Sequence, residues 1–328
     1  MRLTRLAGPL PDPRRCTLFC QIRDEAYLLP HFLAHYRALG IERFAFVDDR
    51  SGDGTREMLL AEPDCLVIEC DRRWGERTAD GIPVHDVIRR RGPESLVGAG
   101  WVLTVDADEF LVPPVGYPDV AALAAELEGR GERCMAAAMV DFFPPTLAGR
   151  NYDPALSPFA ACPRFDRGPL FDWRPGWIEP IPAVAGVRAR LAAMLAAEHP
   201  AEFRAVFGGD YRPASLWKVP LLRWGTGIVP AGPHCVSATP FLGLQAALAH
   251  FKLCPGLDAK IGHATVERGY FGASVEYRFL ARAIALFPDR PLASIHTARW
   301  AGAASLEAAG HTFSPGRGPL GQASAKPS

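Results

Sequence analysis

Residues 101–110 read WVLTVDADEF, an apolar run that passes directly into two aspartates separated by one residue. An apolar run that ends in charge predicts a buried strand, here finishing at Val105. In an extended chain, positions i and i+2 face the same way, so Asp106 and Asp108 can address one point. Two such charges about 5 Å apart repel by roughly 3 kcal/mol at an effective dielectric of twenty, and a bound cation removes that repulsion. Because hard divalent ions prefer oxygen ligands, the motif predicts a site for Mn²⁺ or Mg²⁺.

Short apolar runs alternate with helical patterns along the first half of the chain. Residues 27–39 place apolar side chains at helical spacing, and Gly40 suits the left-handed residue that follows a helix. Strands that alternate with helices predict an α/β fold with a mostly parallel sheet. Ligands of such sheets bind beyond the carboxyl ends of the strands. Besides 101–105, the predicted strands include residues 16–22, 43–47, 65–70 and 135–143.

A second acidic turn follows one of these strands, where residues 47–55 read VDDRSGDGT. Small residues permit a tight turn, and the carboxylates of Asp48 and Asp49 are of the kind that accepts hydrogen bonds from a nucleobase or a ribose. The alternative is that Asp53 and Ser51 simply cap the turn and the helix that follows. Taken alone, the turn leaves both interpretations open.

The overall composition narrows the functional classes. The 36 basic and 36 acidic side chains cancel, so no global field attracts nucleic acid, and no nucleic-acid partner is expected. Prolines interrupt the N-terminal segment, and the apolar run at 97–105 is about half the length of a membrane span, so we expect neither a signal peptide nor a transmembrane segment. The eight cysteines form no CxxC pair and are expected to be reduced core thiols. The expected location is cytoplasmic, with peripheral membrane contact as the alternative.

The motifs of the first 115 residues together resemble the glycosyltransferase family 2-like proteins. They are RDE at 23–25, a helix that carries His31 and His35, GIERF at 40–44, DDRSGDGT at 48–55 and DADEF at 106–110. The chain resembles in particular the branch whose pattern reads NE, lpeWlaHh, lGvdrfyiyDn.S.Dgt and DaDEF. It departs from that pattern by Arg-Asp ahead of Glu25 and by Asp49, since Asn is usual at both places. Later elements of the branch resemble WKVP at 217–220, GPH at 232–234 and LAHFK at 248–252.

This resemblance implies a GT-A-type, Rossmann-like fold, in which a mostly parallel sheet is flanked by helices and a C-terminal half binds the acceptor and completes the metal site. It also implies a nucleotide-diphosphate sugar as donor, with a uridine diphosphate sugar expected. By position, Glu25 and either Asp48 or Asp49 would contact the nucleoside. Asp106 and Asp108 would meet the diphosphate and the metal, with Asp108 as the direct, catalytic ligand.

Candidate ligands in the second half are fewer and less closely spaced. Enzymes of this type often complete the metal shell with a C-terminal histidine, and either His234 or His250 would supply it. The alternative is that each is an ordinary packed histidine. Lys218 is the first candidate for the diphosphate, followed by Lys252 and Lys260, although surface lysines commonly bind nothing specific.

Sugar transfer with inversion also needs a base that takes the proton of the acceptor hydroxyl from the face opposite the leaving diphosphate. Asp166, Asp172 and Glu179 are the candidate carboxylates, and Asp172 is the first to test as the base. It lies in the aromatic-rich segment 164–179, whose rings are expected to form an acceptor cleft. The alternative is an ordinary loop with surface charges.

We therefore expect one domain at 1–311, with a nucleotide-sugar and metal half at 16–115, an acceptor half at 116–311 and a disordered tail at 312–328. The expected activity is that of a metal-dependent, hexosyltransferase-like enzyme with a glycan, lipid-linked or protein acceptor. One alternative is a non-catalytic, sugar-nucleotide-binding member of the same fold. Another is a haloacid dehalogenase-like phosphatase, but that class normally has Thr or Val where this chain has Phe110.

Overall fold

A computed structural model of the protein describes residues 1–212, 214–267 and 271–315. Its strands are β1 (Leu3–Ala7), β2 (Thr17–Ile22), β3 (Phe44–Asp48), β4 (Cys65–Cys70), β5 (Gly100–Thr104), β6 (Glu109–Val112), β7 (Cys134–Asp141), β8 (Arg164–Asp166), β9 (Phe171–Asp172), β10 (Ile181–Pro182), β11 (Trp217–Trp224), β12 (Phe241–His250) and β13 (Thr297–Arg299). Its helices are α1 (Leu29–Ala38), α2 (Thr55–Ala61), α3 (Val84–Val97), α4 (Val120–Gly129), α5 (Pro158–Ala161), α6 (Gly186–Glu198), α7 (Pro200–Phe207), α8 (Leu257–Glu267), α9 (Phe271–Leu286) and α10 (Ala303–Ala308), with a 3₁₀ turn at Ala148–Arg150. Within the described ranges, no helix has both the length and the apolar character needed to cross a membrane.

The largest sheet has nine strands in the order β1-β4-β3-β2-β5-β11-β7-β12-β6. Strands β2 to β5 run parallel to one another, and β7 and β12 share a direction. Strand β11 runs antiparallel to both β5 and β7, which gives β5 and β7 the same direction. The carboxyl ends of β2, β3, β4, β5, β7 and β12 therefore meet at one edge of the sheet, beside the amino ends of β11 and β6. The predicted α/β architecture, a mostly parallel sheet flanked by helices, is confirmed.

The central strands are buried on both faces. Leu18 and Cys20 of β2 pack into one apolar cluster, whereas Phe19, between them, packs into another on the opposite face. The same alternation separates Phe46 from Val47 in β3. Strands covered on both sides need apolar residues at every position, which is why they read as continuous apolar runs in the sequence.

Helix α1 fixes the chain that follows the aspartate pair. Its apolar face is buried, and the hydroxyl of Tyr36 donates to the carbonyl of Glu109 at 2.8 Å and accepts from the amide of Leu111 at 3.0 Å. His35 bonds the carbonyl of Leu111 at 2.8 Å, and burial lowers the pKa of this imidazole to about 4. Gly40 has a φ of 78°, so the predicted left-handed stop is confirmed.

The C-terminal segment packs further than the composition suggests. The predicted tail was to begin at residue 312, yet Thr312 is buried and Phe313 pairs with Gln245 through two backbone hydrogen bonds of 3.0 and 3.1 Å. The prediction that the tail begins at residue 312 is therefore wrong, because Phe313 pairs with a residue of β12. The rest of the predicted tail, residues 316–328, lies outside the described residues.

Candidate functional site

The carboxyl edge of the sheet opens into a cavity of about 340 Å³. Its wall is formed by residues that follow β2, β3 and β5, and by residues of α3, α8 and α9. Crevices at this edge are where open α/β sheets bind their ligands. Asp106 and Asp108 both line the cavity, directly after β5.

The two aspartates have different partners. Asp106 is 41% exposed, and its carboxylate lies 3.1 Å from both the Arg89 guanidinium and the Lys218 ammonium. Asp108 is only 10% exposed, and its Oδ2 lies 3.6 Å from His250 Nε2. Burial works to raise the pKa of both carboxyls, but the neighbouring cations outweigh it and hold both pKa values well below the usual range. Both groups are therefore charged at neutral pH.

His234 lines the same cavity and presents a free lone pair. Its Nδ1 donates to the carbonyl of Trp217 at 2.8 Å, which leaves Nε2 unprotonated. Burial and the charge of Lys218 lower the pKa of His234 to about 4, so the imidazole is neutral at physiological pH. Two carboxylates and a neutral imidazole are the donor types that suit Mn²⁺. In the described part of the chain, no three His, Cys, Asp or Glu side chains are already gathered around one point in a way that could hold a metal ion.

His250 lies behind Asp108 instead of on the cavity wall. Its Nδ1 is 2.7 Å from Asp141 Oδ1, and the two residues are paired in register at the carboxyl ends of β12 and β7. Burial opposes a charge here, but the carboxylates of Asp108 and Asp141 raise the pKa of His250 to about 9. In this arrangement His250 contacts both Asp141 and Asp108, and it is not among the residues that line the cavity, so its role as a metal ligand stays a prediction.

Glu25 follows β2 and offers an acceptor to the cavity. It is 8% exposed, and its Oε1 accepts from Lys260 Nζ at 2.6 Å. The other oxygen, Oε2, is buried without a hydrogen-bond partner among the described residues. Burial raises the pKa of Glu25 to about 7, with Lys260 opposing the shift. A ligand that donates an N–H or O–H to Oε2 would satisfy this atom.

The acidic turn after β3 separates its two adjacent aspartates. Asp48 is fully buried, accepts from the amide and hydroxyl of Ser51 at 3.1 and 2.5 Å, and meets Arg56 Nε at 2.6 Å. It stabilises the turn and does not line the cavity, so a nucleoside contact by Asp48 is not supported. Asp49 lines the cavity and lies 3.4 Å from Arg23. Asp53 caps the amide of the first residue of α2, as the alternative reading of this turn predicted.

The basic residues are arranged differently from the prediction. Lys218 is 3% exposed and lies beneath the motif, where its Nζ meets Glu109 at 2.6 Å as well as Asp106. The geometry therefore does not favour Lys218 as a diphosphate-binding residue, because its ammonium is already enclosed by two carboxylates. Lys252 and Lys260 do line the cavity.

Two of the charged residues that line the cavity were not predicted from the sequence. Arg89, on α3, lines the cavity beside Asp106, and Glu276, on α9, also lines it. Neither belongs to a motif, and the charge pattern of α3 and α9 gives no sign of which face meets the sheet edge. Only the docking of each helix selects these side chains.

The predicted base, Asp172, does not reach the cavity. It lies on β9, is 58% exposed and pairs with Arg174 at 3.2 Å. The aromatic segment contains β9, which pairs with β10 just beyond it, and Phe171 packs against Trp217 at 6.1 Å between ring centroids. This packing directs the neighbouring Asp172 to solvent, because adjacent residues of a strand point to opposite sides. The geometry therefore does not support Asp172 as the base.

Compared with models of known families and with curated proteins, the chain matches none.

Proposed function

We propose that the protein is a metal-dependent glycosyltransferase of the GT-A type, which moves a sugar from a nucleotide-diphosphate donor to an acceptor hydroxyl. The observation that carries the proposal is the presence, in one cavity, of Asp106 and Asp108 beside Arg89, Lys252 and Lys260. Carboxylates alone favour a cation, and basic groups alone favour an anion. A metal–diphosphate complex is matched by both kinds of group side by side.

In this proposal, Asp106, Asp108 and His234 hold Mn²⁺ or Mg²⁺. When bound, the metal neutralises the charge that develops on the leaving diphosphate. The Nζ of Lys252 lies 3.8 Å from Asp108, and Lys260 lines the same cavity. Both lysines add positive charge near the carboxylate of Asp108. The acidic pair and the basic pair therefore act on one leaving group.

The nucleoside is assigned to the part of the cavity lined by Glu25 and Asp49. The buried Oε2 of Glu25 is an acceptor that needs a donor. Ribose hydroxyls and the N–H of a base such as uracil are donors of the required kind. A uridine diphosphate sugar as donor, a glycan, lipid-linked or protein acceptor, and a cytoplasmic setting complete the proposal.

The test measures the thermal stability of the purified chain with uridine, guanosine and adenosine diphosphates, each with Mn²⁺, with Mg²⁺ and with a chelator. A ligand at a hundredfold excess over its dissociation constant stabilises the fold by about 2.7 kcal/mol, which a melting curve resolves. We expect one diphosphate to raise the melting temperature only with metal. Asp108→Asn should abolish that shift, and Glu179→Gln, an exposed carboxylate outside the cavity, should leave it unchanged.

Two outcomes would count against the proposal. Binding of no diphosphate under any condition would contradict a glycosyltransferase and favour the phosphatase alternative. Binding with metal, but without any release of sugar from the corresponding nucleotide sugars over long incubation, would favour a non-catalytic binding protein, because a transferase also passes its sugar slowly to water.

A further inference from the structure

The C-terminal half of the chain contributes to the cavity a carboxylate without an assigned role. The described cavity-lining carboxylates are Asp24, Glu25, Asp49, Asp106, Asp108 and Glu276. All but Glu276 come from the first 110 residues. A base for inverting transfer must act from the face opposite the leaving diphosphate. Among the described residues, Glu276 is the one cavity carboxylate contributed by the C-terminal half of the chain, where the acceptor is expected to bind.

Glu276 is held in place by one fully enclosed cation. Its side chain is 36% exposed, and its Oε1 is in close contact with Nη1 of Arg188, a residue of α6 that is only 6% exposed. The remaining donors of that guanidinium bind Asp141, with Nε at 2.7 Å from Oδ2 and Nη2 at 3.0 Å from Oδ1. The two bonds to Asp141 leave the planar guanidinium of Arg188 little freedom, so Arg188 also fixes the position of Glu276.

The same network reaches the aspartate pair. Asp141, bound to Arg188, also holds His250, and His250 Nε2 lies 3.6 Å from Asp108. Three charged side chains, those of Arg188, Asp141 and His250, thus connect Glu276 to Asp108. The next residue, Tyr277, also contacts a lysine of the cavity, because its hydroxyl accepts from Lys252 Nζ at 3.3 Å. Glu276 is therefore positioned relative to Asp108 by a network of buried charges, not by a loop.

We propose that Glu276 is the catalytic base of the transfer and that Arg188 is its positioning residue, an inference that builds on the function proposed above. The acceptor oxygen forms its bond to the anomeric carbon of the sugar while the bond from that carbon to the diphosphate oxygen breaks. The electron pair of the broken bond leaves with the diphosphate, and the proton of the acceptor hydroxyl passes to the carboxylate of Glu276. When water is the acceptor, the same step gives free sugar and nucleoside diphosphate.

The test uses the full chain with Mn²⁺ and a panel of uridine diphosphate sugars, and it measures released uridine diphosphate in the wild type, Glu276→Gln, Asp172→Asn and Glu179→Gln. Loss of a general base lowers turnover by about 10² to 10⁴. We expect that loss in Glu276→Gln alone, with an unchanged melting shift on uridine diphosphate and Mn²⁺. Azide needs no proton removed before it attacks, so sodium azide should restore uridine diphosphate release in Glu276→Gln and form a glycosyl azide.

The outcomes separate this inference from the function beneath it. Turnover of Glu276→Gln within about threefold of the wild type, or a loss that azide does not relieve, would overturn the assignment of the base. A loss in Asp172→Asn with Glu276→Gln unaffected would return the role to the hairpin. A wild type that binds uridine diphosphate with Mn²⁺ but hydrolyses no donor would also overturn the base while leaving the nucleotide site in place. Failure of the wild type to bind any nucleotide would overturn the proposed function itself.

Discussion

Asp106 and Asp108 stand two residues apart on one cavity wall, yet different parts of the fold hold them. Asp106 is 41% exposed and meets Lys218, which reaches it from β11, and Arg89, which reaches it from α3. Asp108 is 10% exposed and meets His250 at the end of β12. Asp106 thus belongs to a small, partly exposed cluster of charged side chains, whereas Asp108 lies at the end of a longer, buried cluster.

The different partners of Asp106 and Asp108 indicate which of the two side chains can change its position. Beneath Asp106, Lys218 has a second partner in Glu109, so the cluster stays paired if Asp106 turns to a ligand. Behind Asp108, His250, Asp141 and Arg188 are each buried, and each depends on the next for its counter-charge. We expect Asp108 to be the fixed half of the motif and Asp106 the adjustable half, because a buried charge that loses its partner is costly.

The largest expected effect follows from breaking the long cluster. Arg188→Met should lower the free energy of unfolding by about 3–5 kcal/mol, because it leaves the buried Asp141 without its bidentate partner. Urea unfolding monitored by circular dichroism measures the change. Arg282→Met is the matched control, since that arginine pairs with Glu202 at 57% exposure and should matter by less than about 1 kcal/mol. Equal losses in the two variants would contradict the distinction between a buried and a surface network.

Breaking the short cluster should cost less and should depend on pH. Lys218→Met is expected to lose about 2–3 kcal/mol at neutral pH, because Glu109 is left buried while Asp106 keeps Arg89 and water. Burial already raises the pKa of Glu109 above its ordinary value, with Lys218 opposing the shift, and removal of Lys218 raises it further. A raised folded-state pKa favours the protonated form, so the variant should be closest to the wild type at acidic pH. Its deficit should grow as pH rises through the folded-state pKa, and unfolding curves at pH 5 and pH 8 check the sign.

The smallest of the three effects concerns binding at the Asp108 side. Lys252→Met should weaken uridine diphosphate with Mn²⁺ by about tenfold, a loss typical of one charge-assisted contact, and should leave uridine binding nearly unchanged. The reason is that Lys252 faces the cavity beside Asp108, where the proposal puts the phosphates. Isothermal titration of both ligands measures the difference. An equal loss for uridine would mean that Lys252 acts on the nucleoside or on the fold.

Much of the architecture was predictable because burial leaves a direct trace in the residue types. The strand predicted at 65–70 coincides with β4, and the run at 101–105 differs from β5 by one residue at each end. Strands buried on both faces must be apolar throughout, and a charged residue marks the point where each leaves the core. The same rule located the carboxylates at the edge of the sheet, although it could not choose between Asp48 and Asp49, whose exposure depends on the turn.

The sequence by itself therefore determined the α/β class, the strands β2 to β5 and the presence of paired carboxylates where a strand ends, although it did not reveal β1. Only the tertiary structure decided which charge meets which. Arg188 lies 47 residues from Asp141 and 88 from Glu276, and His250 lies 109 residues from Asp141. Local patterns act over one strand or one helical turn, whereas a buried charge takes whatever counter-charge the packing of distant elements supplies. That physical reason explains why Asp172 looked suitable in the sequence and why Glu276 emerged only once α9 had docked against the edge of the sheet.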